Sequence, residues 1–238
     1  WLVIGGGIHG VHIALRLLTE GGVFAEDLAI VDPGQRLLER WRTTTRTTGM
    51  RHLRSPVVHH LDLSPWSLEQ FAGKSRRRSP GLFAAPYNRP ALTLFNAHCD
   101  HLIETFELSE RHMSARAERC DIECDGVRVQ LSTGAHIVAN KVVLAMGSSD
   151  QPEWPAWAPR GEDRVQHVFD PAFKGWPSEP EDVIVVGAGI SGAQIALRLL
   201  REGHAVRIIS RHALREHQFD SDPGWLGPKY MRGYDAES

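Results

Sequence analysis

Two short stretches carry glycines at a spacing that suits phosphate chemistry. The first is "GGGIHG" after the apolar run "WLVI", which sets out Gly5-x-Gly7-x-x-Gly10. The second is "GAGISG" after "VIVV", which sets out Gly187-x-Gly189-x-x-Gly192. In both, an apolar strand precedes the first glycine and a helical pattern opens at the last. The first glycine permits a tight turn. The second removes a side chain, so that backbone can approach a pyrophosphate. The third lets helix and strand pack closely. Free N–H groups and the positive dipole end of the helix then face the phosphates.

The residue at the end of each following strand separates the two ligands. "LAIVD", 28 to 32, ends in Asp32. An acid there accepts hydrogen bonds from a ribose 2′-OH and suits FAD or NAD. The alternative role for Asp32 is to cap the turn before Pro33. The second unit ends "ISRHALR", with Ser210 and Arg211 in place of the acid. A carboxylate would repel a 2′-phosphate, whereas an arginine fork binds one, which favours NADP. The alternative is that Arg211 is only a surface residue. Two such sites imply a resident redox cofactor and an exchangeable hydride donor.

These motifs need particular elements around them. Residues 1 to 5 read as a buried strand. Residues 8 to 20 read as a helix, with Ile8, Val11, His12, Leu15 and Leu18 on one face and a stop at Gly21-Gly22. With strand 28 to 32 this makes a parallel pair joined by a crossover. Residues 41 to 90 lack a hydrophobic period and carry Arg42, Arg46, Arg51 and Arg54. "GKSRRRSP", 73 to 80, reads as a solvated loop. A helical period returns over 91 to 108. Residues 115 to 147 read as an antiparallel meander that ends in a buried strand. A Pro- and Trp-rich connector follows, and residues 183 to 209 repeat the opening unit. The expected fold class is α/β, with Rossmann-like domains in a three-layer ββα arrangement. The expected domains are 1–150 for FAD, a linker over 151–181, and a partial NADP-binding domain over 182–238.

Composition narrows the function. The 238 residues carry a formal net charge of −2 and give no reason to expect a nucleic-acid partner. No apolar run approaches the roughly 20 residues that span a bilayer. Cys99, Cys120 and Cys124 make no disulfide framework, which points to a reducing, cytoplasmic setting. The Cys120–Cys124 spacing is C-x-x-x-C, not the C-x-x-C of dithiol redox motifs, so both read as packing residues. The histidine pairs His59-His60 and His98/His101 lack metal-ligand spacing and read as ordinary surface or helix residues, so no metal is expected.

The whole arrangement resembles the flavoproteins with two dinucleotide-binding domains. "VVLAMG", 142 to 147, is similar to the "ATG"-like ending of their FAD domain, and it places Gly147 at the cofactor. "TGMRHLRSP", "RPALTLFNAHCDHL" and "DSDPGWLGPKYM" resemble the amine N-hydroxylating monooxygenases, such as ornithine and lysine N-hydroxylases. "RVQHVFDP" is similar to the His-containing linker of class B flavin monooxygenases, although Gly161 and His167 stand too far apart for the strict fingerprint. The resemblance implies that NADPH reduces FAD, that a flavin C4a-hydroperoxide forms, and that a nucleophilic amine takes its distal oxygen. It places Met50 and Arg51 on the isoalloxazine side. It names no catalytic base. A flavin reductase without oxygenation, and a non-enzymatic dinucleotide-binding regulator, remain open beside it. The start at Trp1 and the early end of the second unit are expected to mark a chain trimmed at both ends. Such a chain would act on a small molecule and would pair with a missing segment or form a homo-oligomer.

Overall fold

The computed structural model of the chain describes residues 1–73, 81–147 and 151–214. The loop expected over 74–80 and the stretch 220–231 lie outside the described residues. The chain divides into two compact units. Of the described residues, 1–41 and 51–146 belong to the first, and 42–50 belong with 147 and 151–214 to the second.

In the first unit, β1 (Leu2–Ile4) leads into α1 (Ile8–Thr19) and β2 (Ala29–Asp32). α2 (Glu39–Thr47), α3 (Ser67–Ala72) and the short hairpin of β3 (Phe83–Ala84) and β4 (Arg89–Pro90) follow. Next come α4 (Leu92–Thr105) and β5 (His112–Ser114). The meander is β6 (Ala117–Glu123), β7 (Gly126–Leu131) and β8 (His136–Ala139), paired antiparallel. β9 (Val142–Leu144) then leaves the meander. It joins a four-stranded parallel sheet in the order β5-β2-β1-β9.

Period-two alternation sorts the two faces of this sheet. Leu2, Ile4 and Val31 pack with Ala115, Val129, Leu131 and Ala139, so one face is covered by the meander. Val3 and Ile30 are fully buried and point the other way, toward the face covered by α1 with its buried Val11, Ala14 and Leu15. The result is the expected three-layer ββα arrangement. Each such aliphatic side chain removed from water contributes about 1.5–3 kcal/mol.

The second unit repeats the opening in smaller form. β10 (Asp182–Val186), α5 (Ile190–Arg201) and β11 (Ala205–Ile209) make a parallel pair with its crossover helix. Val185, Ile195, Ala196 and Leu199 form its core, with Val168 and Trp176 packed against it. Ile184, Val186 and Ile209 stay exposed on the strands. Among the described residues no helix is long and apolar enough to cross a membrane.

Three expectations need correction. The Thr-rich stretch read as aperiodic forms α2. Its hydroxyls bond back along the helix, Thr45 Oγ1 to Arg42 O and Thr48 Oγ1 to Thr44 O, so local bonds replace a hydrophobic stripe. β9 is not a buried strand: Val142 and Val143 are half-buried and Leu144 is 63% exposed. Cys120 and Cys124 are free and exposed on the meander, and Cys99 alone is a packing cysteine. His98 is a helix residue, as read, and it is fully buried.

His98 sits in an aromatic and imidazole cluster. Its Nε2 lies 2.8 Å from Ser67 Oγ. Its ring stands 5.1 Å edge-on from His60 and 5.3 Å from Phe71, which also stacks on His101. Burial, then the neighbouring His60, pushes the His98 pKa down to about 4, against the weaker pull of Asp62. Burial also lowers that of His60. Below pH 6.5 the unfolded chain therefore takes up a proton that folded His98 refuses. Stability is full above about pH 6.5 and falls toward pH 4, by up to about 1.4 kcal/mol per pH unit for this group. Urea unfolding of wild type and His98→Leu across pH 7 to 4.5 should show the wild type losing stability faster. Parallel slopes would exclude His98 as the titrating group.

Candidate functional site

The first glycine turn lies at the carboxyl end of β1, with β2 on one side and β9 on the other. That is where ligands bind in open α/β sheets, because the chain leaves in opposite directions and opens a crevice. Gly5 takes φ +112°, a conformation closed to most side chains. Its N–H donates to Val31 O at 2.8 Å, and a Cβ there would press into the Ala145 carbonyl at the end of β9. A Cβ on Gly10 would land on the Gly5 carbonyl oxygen. Gly7 differs: nothing lies within 4 Å of where its Cβ would be.

The second turn repeats the strand-end bond and the close approach of the third glycine, although a Cβ on Gly187 would meet nothing within 4 Å. Gly187 takes φ +108° and its N–H donates to Ile209 O at 2.9 Å. A Cβ on Gly192 would land on the Gly187 carbonyl oxygen, and Gly189 is open. Gly7 and Gly189 are also the N-caps of α1 and α5. Neither helix has a side-chain cap or an acid in its first turn. Their first N–H groups and positive dipole ends are thus uncompensated, and they can receive an anion.

The matching bonds Gly5–Val31 and Gly187–Ile209 align the two strand ends. Asp32 follows Val31 and Ser210 follows Ile209, so Ser210 holds the position of Asp32, and Arg211 holds that of Pro33. Both residues also shape their own loop. Asp32 Oδ1 accepts from Gly34 N at 2.8 Å, as Ser210 Oγ accepts from His212 N at 3.3 Å. Asp32 Oδ2 accepts in addition from Gly6 N at 2.7 Å, which ties the end of β2 to the glycine turn. The capping role and the ligand role are therefore compatible. Each carboxylate oxygen has lone pairs beyond the one engaged. Arg211 is exposed after β11.

The remaining site residues are held by different contacts. Gly147 takes φ +64° with open space around it, one residue past Met146, whose Cα borders Gly5. Met50 N donates to Thr45 O at the end of α2. Arg51 is exposed, and its carbonyl accepts from Leu92 N at the start of α4. Sequence reasoning missed the arginine and tryptophan that close α2, Arg198 and Trp176, because their partners are backbone carbonyls far away in sequence. Among the described residues no group of three or more His, Cys, Asp or Glu could hold a metal.

The steric demands separate the glycines by role. Gly10→Ala and Gly192→Ala each drive a methyl into a carbonyl and should cost about 1–3 kcal/mol. Gly7→Ala and Gly189→Ala should leave stability within about 1 kcal/mol of wild type, given the space at both and the helix-terminal position. Urea midpoints of the four variants check this ordering.

Known proteins share this fold. A flavin-containing monooxygenase from Stenotrophomonas maltophilia superposes with a TM-score of 0.58 at 22% identity, covering 90% of this chain and 58% of its own. A steroid monooxygenase solved in its oxidised form bound to NADP gives 0.65 at 19% identity, covering 89% of this chain and 38% of its own. A bacillithiol disulfide reductase from Bacillus cereus gives 0.57 at 19%, covering 87% and 56%. In sequence, 97 residues are 31% identical to an FAD-dependent monooxygenase of Gibberella fujikuroi, 40% of this chain and 17% of that one. The chain thus spans less than two thirds of each of these relatives. A model of one family matches almost the whole chain, over residues 2–234, and the chain belongs to that family: the pyridine nucleotide-disulphide oxidoreductases.

Proposed function

We propose that the protein is an FAD- and NADPH-dependent oxidoreductase of the flavin monooxygenase kind, which hydroxylates an amine or similar nucleophilic small molecule. The observation that carries this reading is the pair of matched glycine turns with different strand ends. One ends in a carboxylate and the other in Ser210-Arg211. The open second glycines and uncapped helix starts fit two pyrophosphates.

In this reading Gly5, Gly7 and Gly10 cradle the FAD pyrophosphate, and Asp32 accepts a ribose hydroxyl. Gly147, Met50 and Arg51 flank the isoalloxazine. Gly187, Gly189 and Gly192 receive NADPH, and Ser210 and Arg211 meet its 2′-phosphate. When bound, the flavin accepts hydride from the nicotinamide and activates oxygen. The protein's task is to bind and position each cofactor and to keep water out. No side chain is assigned as an acid or base. The likenesses to a steroid monooxygenase bound to NADP and to a fungal FAD-dependent monooxygenase support the choice of cofactors. The fragments "TGMRHLRSP" and "RPALTLFNAHCDHL" support the amine N-hydroxylating subgroup.

A reductase without oxygenation is the second reading, favoured by the likeness to the bacillithiol disulfide reductase. The cysteines limit it. Cys99 is buried, and Cys120 and Cys124 are exposed on the meander, so none of them belongs to a C-x-x-C pair beside the glycine turn.

Removing one charge-assisted contact costs about 1.5–3 kcal/mol, or roughly 10- to 100-fold. Arg211→Ala should raise the KM for NADPH by roughly that factor and leave the KM for NADH unchanged. Asp32→Ala should weaken FAD retention by a similar factor, read from flavin absorbance after gel filtration. With candidate amines, the monooxygenase reading expects hydroxylated product in proportion to NADPH consumed. NADPH consumption with only hydrogen peroxide as product would favour the reductase.

A further inference from the structure

The segment 42–50 is set apart from its neighbours in sequence. Trp41 and Arg51 belong to the first unit, yet Arg42–Met50 packs with the second. The change of unit falls inside α2. On its near side Trp41 is fixed to α4, where its Nε1 donates to Asn96 Oδ1 at 3.0 Å and its ring lies 5.5 Å from Phe95.

On its far side the end of α2 is closed by α5. Arg198 Nη1 donates to Arg46 O at 2.7 Å and to Thr47 O at 3.0 Å. Trp176 Nε1 donates to Thr47 O as well, at 3.0 Å. Both carbonyls lie in the last turn of the helix, at the negative end of the dipole; Arg46 O also accepts from Gly49 N at 3.1 Å. A guanidinium suits both carbonyls. Its own position is set by Glu202 Oε1 at 2.8 Å from Nε, and by the Trp176 ring 5.7 Å away, which Phe173 braces at 4.9 Å. Gly49, at φ +64°, lies against this arginine, and a Cβ there would stand 2.9 Å from Arg198 Cβ. The amides of Thr48, Gly49 and Met50 fold back onto Thr44 O, Arg46 O and Thr45 O. The same helix, α5, begins at the second glycine turn.

We infer that Arg198 is a positioning residue. Through the end of α2 it ties the Thr48–Met50 turn, and so the chain entering Arg51, to the helix that presents the second dinucleotide turn. The tether stands on these contacts alone. Its consequence for the reaction rests on the reading that residues 48–51 flank the flavin: loosening the turn would then slow flavin reduction.

Hydrogen exchange on the full chain tests the tether directly. Arg198→Ala should speed exchange at Thr48–Met50 by about tenfold, the worth of one lost charge-assisted bond, and leave α1 amides unchanged. Arg198→Lys should restore part of the protection, because one ammonium can still donate to a carbonyl. Trp176→Phe keeps the ring and should give a smaller, local effect. Arg201→Ala, on the same helix and exposed, is the control and should change nothing at 48–50. Unchanged exchange in Arg198→Ala, or a uniform rise across the molecule, overturns the tether. On FAD-loaded protein, stopped-flow reduction by NADPH should slow by about tenfold in Arg198→Ala at equal FAD content, the same bond now counted in the barrier. An equal rate overturns the positioning role. Failure of the wild type to bind FAD sinks the proposed function and leaves the exchange result to decide the tether.

Discussion

Everything else in each unit depends on one close approach. The third glycine of each motif lies against the carbonyl oxygen of the first, Gly10 on Gly5 and Gly192 on Gly187, with no room for a methyl between. Only that approach lets a helix begin immediately at the carboxyl end of a buried strand. Once it does, the second glycine becomes the N-cap, the first-turn amides have no internal partner, and the dipole end opens on the crevice. In the proposed function, phosphate affinity is a consequence of this packing. On the other side of the first turn, Gly5 lets the end of β9 come alongside, so the sheet closes around the turn.

The two units share this geometry and differ at one aligned residue. Asp32 has two oxygens. One closes its own loop through Gly34, and the other reaches back to Gly6. Ser210 has a single oxygen, which closes the loop through His212. The first strand end is therefore negative and bound to its glycine turn, whereas the second is neutral and followed by an exposed arginine. In the proposed function this difference in charge at the ribose position separates FAD from NADPH, whose 2′-phosphate a carboxylate would repel.

Much of this was legible in the sequence because it rests on local rules. Glycine spacing, the apolar runs before it and the helical period after it specify both strand–helix–strand units to within a residue or two. Asp32 and Ser210 follow from counting to the strand ends. The illegible parts depend on partners distant in sequence. α2 has no apolar stripe to announce it, since it is held by threonine back-bonds and by Arg198 and Trp176. His98 falls in a polar-looking helix face that turns out to be covered by α3. The exposed Leu144 and the exposed cysteines depend on how much surface the neighbouring elements cover, which periodicity does not report.

In the proposed function the two turns hold two different dinucleotides at once. Equilibrium dialysis of the full chain with FAD and NADP⁺ together measures this most directly. One FAD and one NADP⁺ per chain are expected, with the bound amount of each unchanged by a saturating excess of the other. Competition between the two for a single site, or binding of NADP⁺ without FAD, would contradict it.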